Sequence, residues 1–133
     1  MTAMSDKLEN ATLDLILRNT PLSTAGIATG SIYAALFTTP TTDTGSGVEV
    51  VGGGYARVSI TGFSPAASGS SSNTTIGTFP SASAAWGVVT HFALFDASSG
   101  GNMLFHGPLT IPKIVNAGDS FVFPVGNITI SMD

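Results

Sequence analysis

The sequence predicts an all-β protein, a jelly-roll-like β-sandwich of about eight short strands preceded by one N-terminal α-helix. After Pro21 the apolar segments are short and are separated by turns rich in Gly, Pro and Ser, a spacing typical of sandwiches and barrels. Before Pro21 one segment has the apolar periodicity of a helix instead. We therefore divide the chain into an N-terminal helical arm, residues 1–20, and a β-sandwich domain, residues 21–133.

The helix is predicted over residues 6 to about 19. Asp6 is the expected N-cap, and Glu9 three residues later suits a capping box. One face holds Leu8, Ala11, Leu15 and Arg18, and the apolar stripe is widened by Leu13, Ile16 and Leu17. The Thr20–Pro21 step ends the helix, because the residue before a proline disfavours helical backbone. Such a helix either packs on its own domain, the commoner arrangement, or docks on a neighbouring subunit.

The strands follow in chain order, each bounded by turn residues. They are predicted at residues 31–38, 48–51, 55–63 and 74–79, as a pair within 86–109, and at 111–115, 120–123 and 127–132. Pro112 predicts that segment 111–115 lies at a sheet edge, because proline has no N–H to donate to a neighbouring strand. The tract 66–73 is predicted to be a flexible loop, and the three glycines at 52–54 permit a tight bend.

The composition narrows the class of function. Only 9% of the residues are charged, against roughly 25% in an ordinary soluble domain, which indicates a surface that largely faces other protein. With a net charge of -4 and four scattered basic residues, the chain is not expected to bind nucleic acid. No segment approaches the roughly 20 apolar residues of a membrane span, and the first residues do not form a secretory signal.

The two histidines are the first candidates for chemistry. His91 and His106, with Asp96 between them, could hold Zn²⁺ or Fe²⁺ if all three side chains converged. Two histidines alone do not make a metal site, so we expect strand histidines that bond to the backbone or contact a subunit. Residues 118–126 match the spacing of the second cupin motif, but Thr129 stands where metal cupins carry a histidine. The motif therefore predicts a jelly-roll-like turn and no metal centre.

Catalytic arrangements are equally weak. The chain has no Gly-x-Ser-x-Gly elbow for a serine nucleophile. Carboxylate pairs for sugar hydrolysis could come only from Asp43 with Glu49 or from Asp96 with Asp119, which lie in loops or turns where solvated acids are ordinary. We therefore expect a non-enzymatic protein with no catalytic residue, no metal ligand and no cofactor.

Five segments together carry a resemblance. They are Leu-Phe-Thr at 36–38, Gly-Tyr-Ala-Arg at 54–57, Trp-Gly-Val-Val-Thr-His-Phe-Ala-Leu-Phe-Asp at 86–96, Gly-Asn-Met-Leu-Phe-His-Gly at 101–107 and Gly-Asp-Ser-Phe at 118–121. In these segments the chain resembles a family of small tailed-phage virion proteins, often labelled tail-fibre or head-decoration proteins. The resemblance covers nearly the whole chain, implies a structural role in the virion, and supplies no catalytic residues.

The resemblance and the composition lead to a capsid decoration, or cement, protein made in the host cytoplasm and bound on the virion surface. Its expected partners are the major capsid protein and itself, with a homotrimer favoured. Residues 1–19 are the expected arm to a neighbour, and the edge near Pro112 and the Ser/Thr loops are expected to supply lateral contacts. The alternative is a tail-fibre or tail-tip module with a sugar-binding surface around Tyr55, Trp86 or residues 64–73. A third class, a cupin-like enzyme, requires metal at His91 and His106.

Overall fold

Nine strands, one α-helix and one 3-10 turn form the part of the computed structural model that is described, residues 2–132. In chain order they are β1 (Ala3–Met4), α1 (Asp6–Arg18), the 3-10 turn (Leu22–Ala25), β2 (Ile32–Phe37), β3 (Val58–Ile60), β4 (Ser70–Ser72), β5 (Gly77–Thr78), β6 (Gly87–Phe95), β7 (Met103–Val115), β8 (Val122–Phe123) and β9 (Thr129–Ser131). The predicted all-β sandwich with an N-terminal helix is confirmed. Residues 1 and 133, the outer ends of the predicted arm and domain, lie outside the described residues.

The strands of this described region pair into three antiparallel sheets. The largest has five strands in the order β1-β7-β6-β2-β3, and two smaller sheets pair β4 with β9 and β5 with β8. The main core lies between the five-stranded sheet and the two smaller ones, because it joins Leu36 and Leu94 of the former to Phe123 and Ile130 of the latter. The jelly-roll form of the sandwich stays a prediction.

The two central strands are buried on both faces, so their apolar residues are continuous instead of alternating with polar ones. On β2, Ala34 and Leu36 face the main core, whereas Ala35 and Phe37 join a second cluster on the other face. Phe79 lies at the centre of the main core, where its ring is 5.6 Å from that of Phe121 and 6.0 Å from that of Phe123. The Phe123 ring also lies 5.7 Å from that of Phe92 on β6, so this aromatic cluster joins the layers of the sandwich.

Helix α1 begins at a different cap from the predicted one. The N-cap is Ser5, whose buried hydroxyl accepts the Leu8 N–H at 3.3 Å and donates to the Met103 carbonyl at 2.6 Å. The prediction that Asp6 caps the helix with Glu9 as its capping-box partner was therefore wrong by one residue. Ser5 is preferred because its hydroxyl also bonds to β7, a contact that the local sequence does not reveal.

The Ser5 cap can be tested directly. We expect Ser5→Ala to lower the free energy of unfolding by about 1–2 kcal/mol, because the Leu8 N–H and the Met103 carbonyl both lose a partner. Asp6→Ala is the matched control, since the Asp6 side chain is exposed and its loss removes only a weak helix-dipole interaction of about 0.5 kcal/mol. Urea unfolding of both variants gives the comparison. An equal loss of unfolding free energy in the two variants would contradict the assignment of Ser5 as the N-cap.

Two strand predictions also differ from the structure. Segment 48–51 is not a regular strand: Glu49 forms a single bridge with Phe37, and the glycines at 52–54 turn the chain immediately afterwards with positive φ. Segment 111–115 is not a separate strand either, because β7 is continuous from Met103 to Val115. Within the described residues β1 pairs with β7 only at Phe105 and His106, so the later part of β7 is an edge, as expected.

A wide bulge in β7 accommodates Pro112. Thr90 alone separates Val89 and His91 on β6, whereas residues 109–112 separate their partners Lys113 and Pro108 on β7. The extra residues carry Ile111 outward, where 65% of its surface is exposed. A proline is tolerated here because these residues have no ladder partner on β6.

The tract 66–73 was predicted to be a flexible loop, and it instead contains β4, which pairs with β9. Asn73 anchors its end: the side-chain amide donates to the carbonyls of Thr75 and Pro124, and its oxygen accepts the Ile128 N–H at 2.9 Å. This buried residue holds together segments more than fifty positions apart, a role that a Ser-rich sequence does not indicate.

Candidate functional site

The predicted metal candidates are only partly brought together. His91 and His106 lie on the same face of neighbouring strands, because His106 pairs with Ala93, two residues beyond His91. Asp96 lies past the end of β6, where its carboxylate accepts the main-chain N–H groups of Asn102 and Ala28 at 2.7 and 3.0 Å. Among residues 2–132, no three His, Asp or Glu side chains form a group that could hold a metal ion.

His106 is instead the centre of a hydrogen-bonded chain. Its Nε2 lies 2.9 Å from Asp43 Oδ1, and its Nδ1 lies 2.9 Å from the Thr41 hydroxyl. The main-chain carbonyl of Asp43 also accepts the Asp6 N–H at 2.9 Å. Although the order hydroxyl, imidazole and carboxylate matches that of a catalytic triad, what these bonds do is fasten the loop after β2 to β7 and to the start of α1.

The proposed pairing of Asp43 with Glu49 does not occur, because Glu49 bonds to Arg57. The guanidinium binds the carboxylate through two hydrogen bonds of 2.8 Å, and the Tyr55 hydroxyl donates a third of 2.8 Å. Arg57 also donates to the carbonyls of Ala97 and Gly100, and it lies 3.6 Å above the Phe95 ring. This Glu49–Tyr55–Arg57 network was not predicted from the sequence. The alternating pattern that sets Tyr55 and Arg57 on one face of a strand could have indicated that the two side chains share a partner.

Two carboxyl groups, those of Glu49 and Asp96, are held in their charged form. Burial raises the pKa of Glu49, but hydrogen bonds from Arg57 and Tyr55 and the Arg57 charge outweigh it, so the pKa lies below its ordinary value. Burial likewise raises the pKa of Asp96, and the hydrogen bonds from Asn102 and Ala28 bring it below the ordinary range. For His91, burial lowers the pKa, and the nearby His106 lowers it further.

These shifts predict a loss of stability in acid, in two steps. A depressed histidine pKa favours the neutral folded form, so the contribution of His91 is lost as the pH falls below about 6.5, its value in the unfolded chain. The depressed carboxyl pKa values stabilise the fold above about pH 4, and this contribution is lost as the pH falls through them. Urea unfolding between pH 7 and 3 should show both steps. His91→Gln should reduce the first step and leave the second, and an unchanged first step would contradict the assignment.

The other carboxylate pair, Asp96 with Asp119, is also separated. The Asp119 carboxylate accepts the Asn116 N–H at 2.8 Å and closes the turn before β8. Gly118 and Gly126 have positive φ of 89° and 80°, so the motif at 118–126 forms a turn, the strand β8 and a second turn. The spacing that resembles a cupin motif therefore reflects this turn–strand–turn geometry.

The aromatic residues expected on a sugar-binding surface, Tyr55 and Trp86, pack against other residues of the protein. Trp86 is 6% exposed, and its Nε1 donates to the Gly53 carbonyl at 2.9 Å. The Tyr55 ring packs edge-on against Trp86, with 5.4 Å between the centroids, while its hydroxyl belongs to the Glu49 network. Trp86 is buried and Tyr55 is half-buried, which weighs against a sugar surface at these two residues.

Exposed apolar surface is the remaining candidate for function. Leu13, Ile16 and Leu17, which we name the α1 ridge, are 56%, 73% and 75% exposed. A cleft of about 240 Å³, which we name the β7–β8 groove, is lined by Phe92, Leu109, Ile111, Lys113, Phe121 and Val122. A second cleft, of about 320 Å³, opens between the sheets and is lined by Ile32, Phe63, Leu94, Phe105, Ile130 and Met132. Surfaces of this kind are typical of contacts with other proteins.

Comparison with known families decides the class of protein. Residues 3–131 match the family described as Podophage GP4 fiber I protein gp80. The chain belongs to this family. It is therefore a fibre-related virion protein, and the resemblance to small tailed-phage virion proteins is confirmed.

No curated protein matches the chain. Of the helices in residues 2–132, none combines the length and apolarity that crossing a membrane needs.

Proposed function

We propose that the chain is a non-enzymatic building block of a podophage fibre, held in the virion by contacts with other protein subunits. The observation that carries this proposal is the family match over residues 3–131. The charge content of 9% supports it, because a fibre subunit covers much of its surface with neighbours and needs few charges for solubility.

The polar networks support the same role. The hydrogen bonds of Arg57, Asp96 and His106 attach loops to strands. Among the described residues, every buried side-chain nitrogen or oxygen has a hydrogen-bond partner. Such an interior suits a rigid module whose work is done by its outer surface.

The second candidate is the capsid decoration protein expected from the sequence, bound to the major capsid protein as a homotrimer. The observation that favours it is α1, which packs on the sandwich through Leu8 and Ala11 and leaves the α1 ridge exposed for a neighbour. The same ridge would serve a fibre equally well, and we rank the fibre first because the family match supports it.

Locating the protein in intact particles distinguishes the two. Antibodies raised against the purified chain, bound to gold, should label the fibres in electron micrographs of virions. Heads separated from their tails should carry no label. Uniform labelling of the heads would overturn the fibre role in favour of capsid decoration, and labelling of neither part would overturn both.

A further inference from the structure

The outer face of α1 changes character along its length. Glu9, Leu13 and Ile16 are spaced four and three residues apart, so they follow one another on the same side of the helix. Leu8 and Ala11 pack against the sandwich, whereas the α1 ridge is exposed. Glu9 is exposed as well, at the border of a cleft that it lines with residues of β1 and β9. The outer face is thus acidic in its first half and apolar in its second half.

The β7–β8 groove has the complementary character. Its floor is formed by the buried apolar residues Phe92 and Phe121, and the bulge of β7 places Ile111 on its rim. Thr110 and Asn127 add polar groups, so the lining is mixed. Lys113 stands exposed on the same rim. The ion pairs among the described residues that involve Arg or Lys use Arg18 and Arg57, and Lys113 enters neither of them. The acidic residue Asp119 lies in the neighbouring turn, where its carboxylate accepts the Asn116 N–H.

The ridge and the groove cannot meet within one molecule. Helix α1 packs against Leu104 near the start of β7, whereas the rim of the groove is formed by residues 109–113. At 3.3 Å per strand residue these places are roughly 20 Å apart. The ridge also points away from its own sandwich, because it lies opposite the face that Leu8 and Ala11 bury.

We propose that the α1 ridge of one copy docks in the β7–β8 groove of a second copy, with Glu9 of the first beside Lys113 of the second. This inference rests on the proposed function and names the partner as the chain itself. Because the two surfaces differ and lie at separate places, the contact is head-to-tail, and its repetition closes a ring or builds a filament.

Charge complementarity selects this occupant over a second ridge. Two α1 helices packed in parallel would set the acidic half of each against that of the other, which like charges disfavour. Packed antiparallel, they would set each Glu9 carboxylate against the apolar residues of the other helix, with no cation beside it. The groove instead offers a cation beside apolar surface. This order matches α1, where the acidic residue is followed by the apolar ones. Arg57, by comparison, is buried in its bonds with Glu49 and is not available to a partner.

The first test measures self-association of the full-length protein by sedimentation velocity over a range of concentrations. Native protein should form species larger than a monomer, and Ile16→Glu should raise the dissociation constant more than about tenfold, because it places a charge against the apolar floor. Val51→Glu is the matched control, since Val51 is 86% exposed and lies on neither surface. A native protein that stays monomeric, or an equal effect of the two variants, would overturn the inference.

The second test exchanges the charges. At low ionic strength, Glu9→Lys alone and Lys113→Glu alone should each weaken association about three- to tenfold. Mixing the two variants should restore it, because every ridge then finds a groove of opposite charge. A mixture as weak as its components would overturn the contact, and so would a ridge-to-ridge dimer, which Lys113→Glu leaves intact.

The outcomes separate this inference from the proposed function. Gold label on the fibres together with monomeric purified protein would leave the fibre role standing and remove the self-contact. Equal thermal unfolding midpoints of the variants and the native protein would show that folding is not the cause of lost association.

Discussion

Replacing Arg57 by alanine is expected to lower the free energy of unfolding by about 3–5 kcal/mol, the range typical of breaking a buried ion pair from one side. The Arg57 side chain is 7% exposed, and its loss leaves the Glu49 carboxylate with only the Tyr55 hydroxyl as donor and removes a donor from two loop carbonyls. A chain of this size should then unfold roughly 10–20 °C earlier, as measured by thermal circular dichroism.

Two variants control the Arg57 result. Arg57→Lys keeps the positive charge but cannot bind the carboxylate through two parallel bonds, so it should recover only part of the stability. Glu49→Gln with Arg57→Ala completes a double-mutant cycle, in which the two losses should not add because the residues share one interaction. Losses that add in full would contradict a direct coupling between Arg57 and Glu49.

Phe79→Ala is expected to have a similar effect, a loss of about 3–5 kcal/mol, because it opens a cavity at the centre of the aromatic cluster. Phe79 is 2% exposed and contacts the rings of Tyr55, Phe121 and Phe123, which come from two separate segments. Since these rings hold one another in place, they cannot collapse freely into the space that the side chain leaves.

Exposure provides the control for Phe79. Ile76→Ala removes an apolar side chain that is 58% exposed in the same part of the chain, and it should change the unfolding free energy by less than about 0.5 kcal/mol. The loss of unfolding free energy for Phe79→Leu should lie between those of the two alanine variants, because leucine keeps most of the side-chain volume. Equal effects of Phe79→Ala and Ile76→Ala in urea unfolding would place Phe79 outside the core.

The sequence revealed those elements whose signals are local. Helix α1 was predictable because its apolar periodicity is continuous and Pro21 stops it one turn after Leu17. The hairpin of β6 and β7 was predictable from two long apolar runs joined by a turn of small residues. Both elements satisfy most of their own backbone, so little information from distant residues is needed.

The elements that sequence reasoning missed depend on distant partners. Strands β1 and β4 are two and three residues long, and they exist because each pairs with a segment far along the chain. Ser5 displaced Asp6 as the cap through a bond to Met103, 98 residues away. Of the candidate residues, His91 and His106 were placed on neighbouring strands, but the role of Arg57 required knowing that Glu49, Ala97 and Gly100 surround it.

The bonds of Ser5 give α1 a fixed direction. Because Ser5 joins the helix to Met103 while Asp43 holds the N–H of Asp6, the first turn is clamped before the chain meets any partner. An oriented helix loses little freedom on docking, so the attachment is pre-organised and does not work as a loose tether. Weakening this clamp with Ser5→Ala should therefore slow the docking that we propose for α1, even though every residue of the docking face is unchanged. The buried hydroxyl would then determine the orientation in which the helix meets its partner.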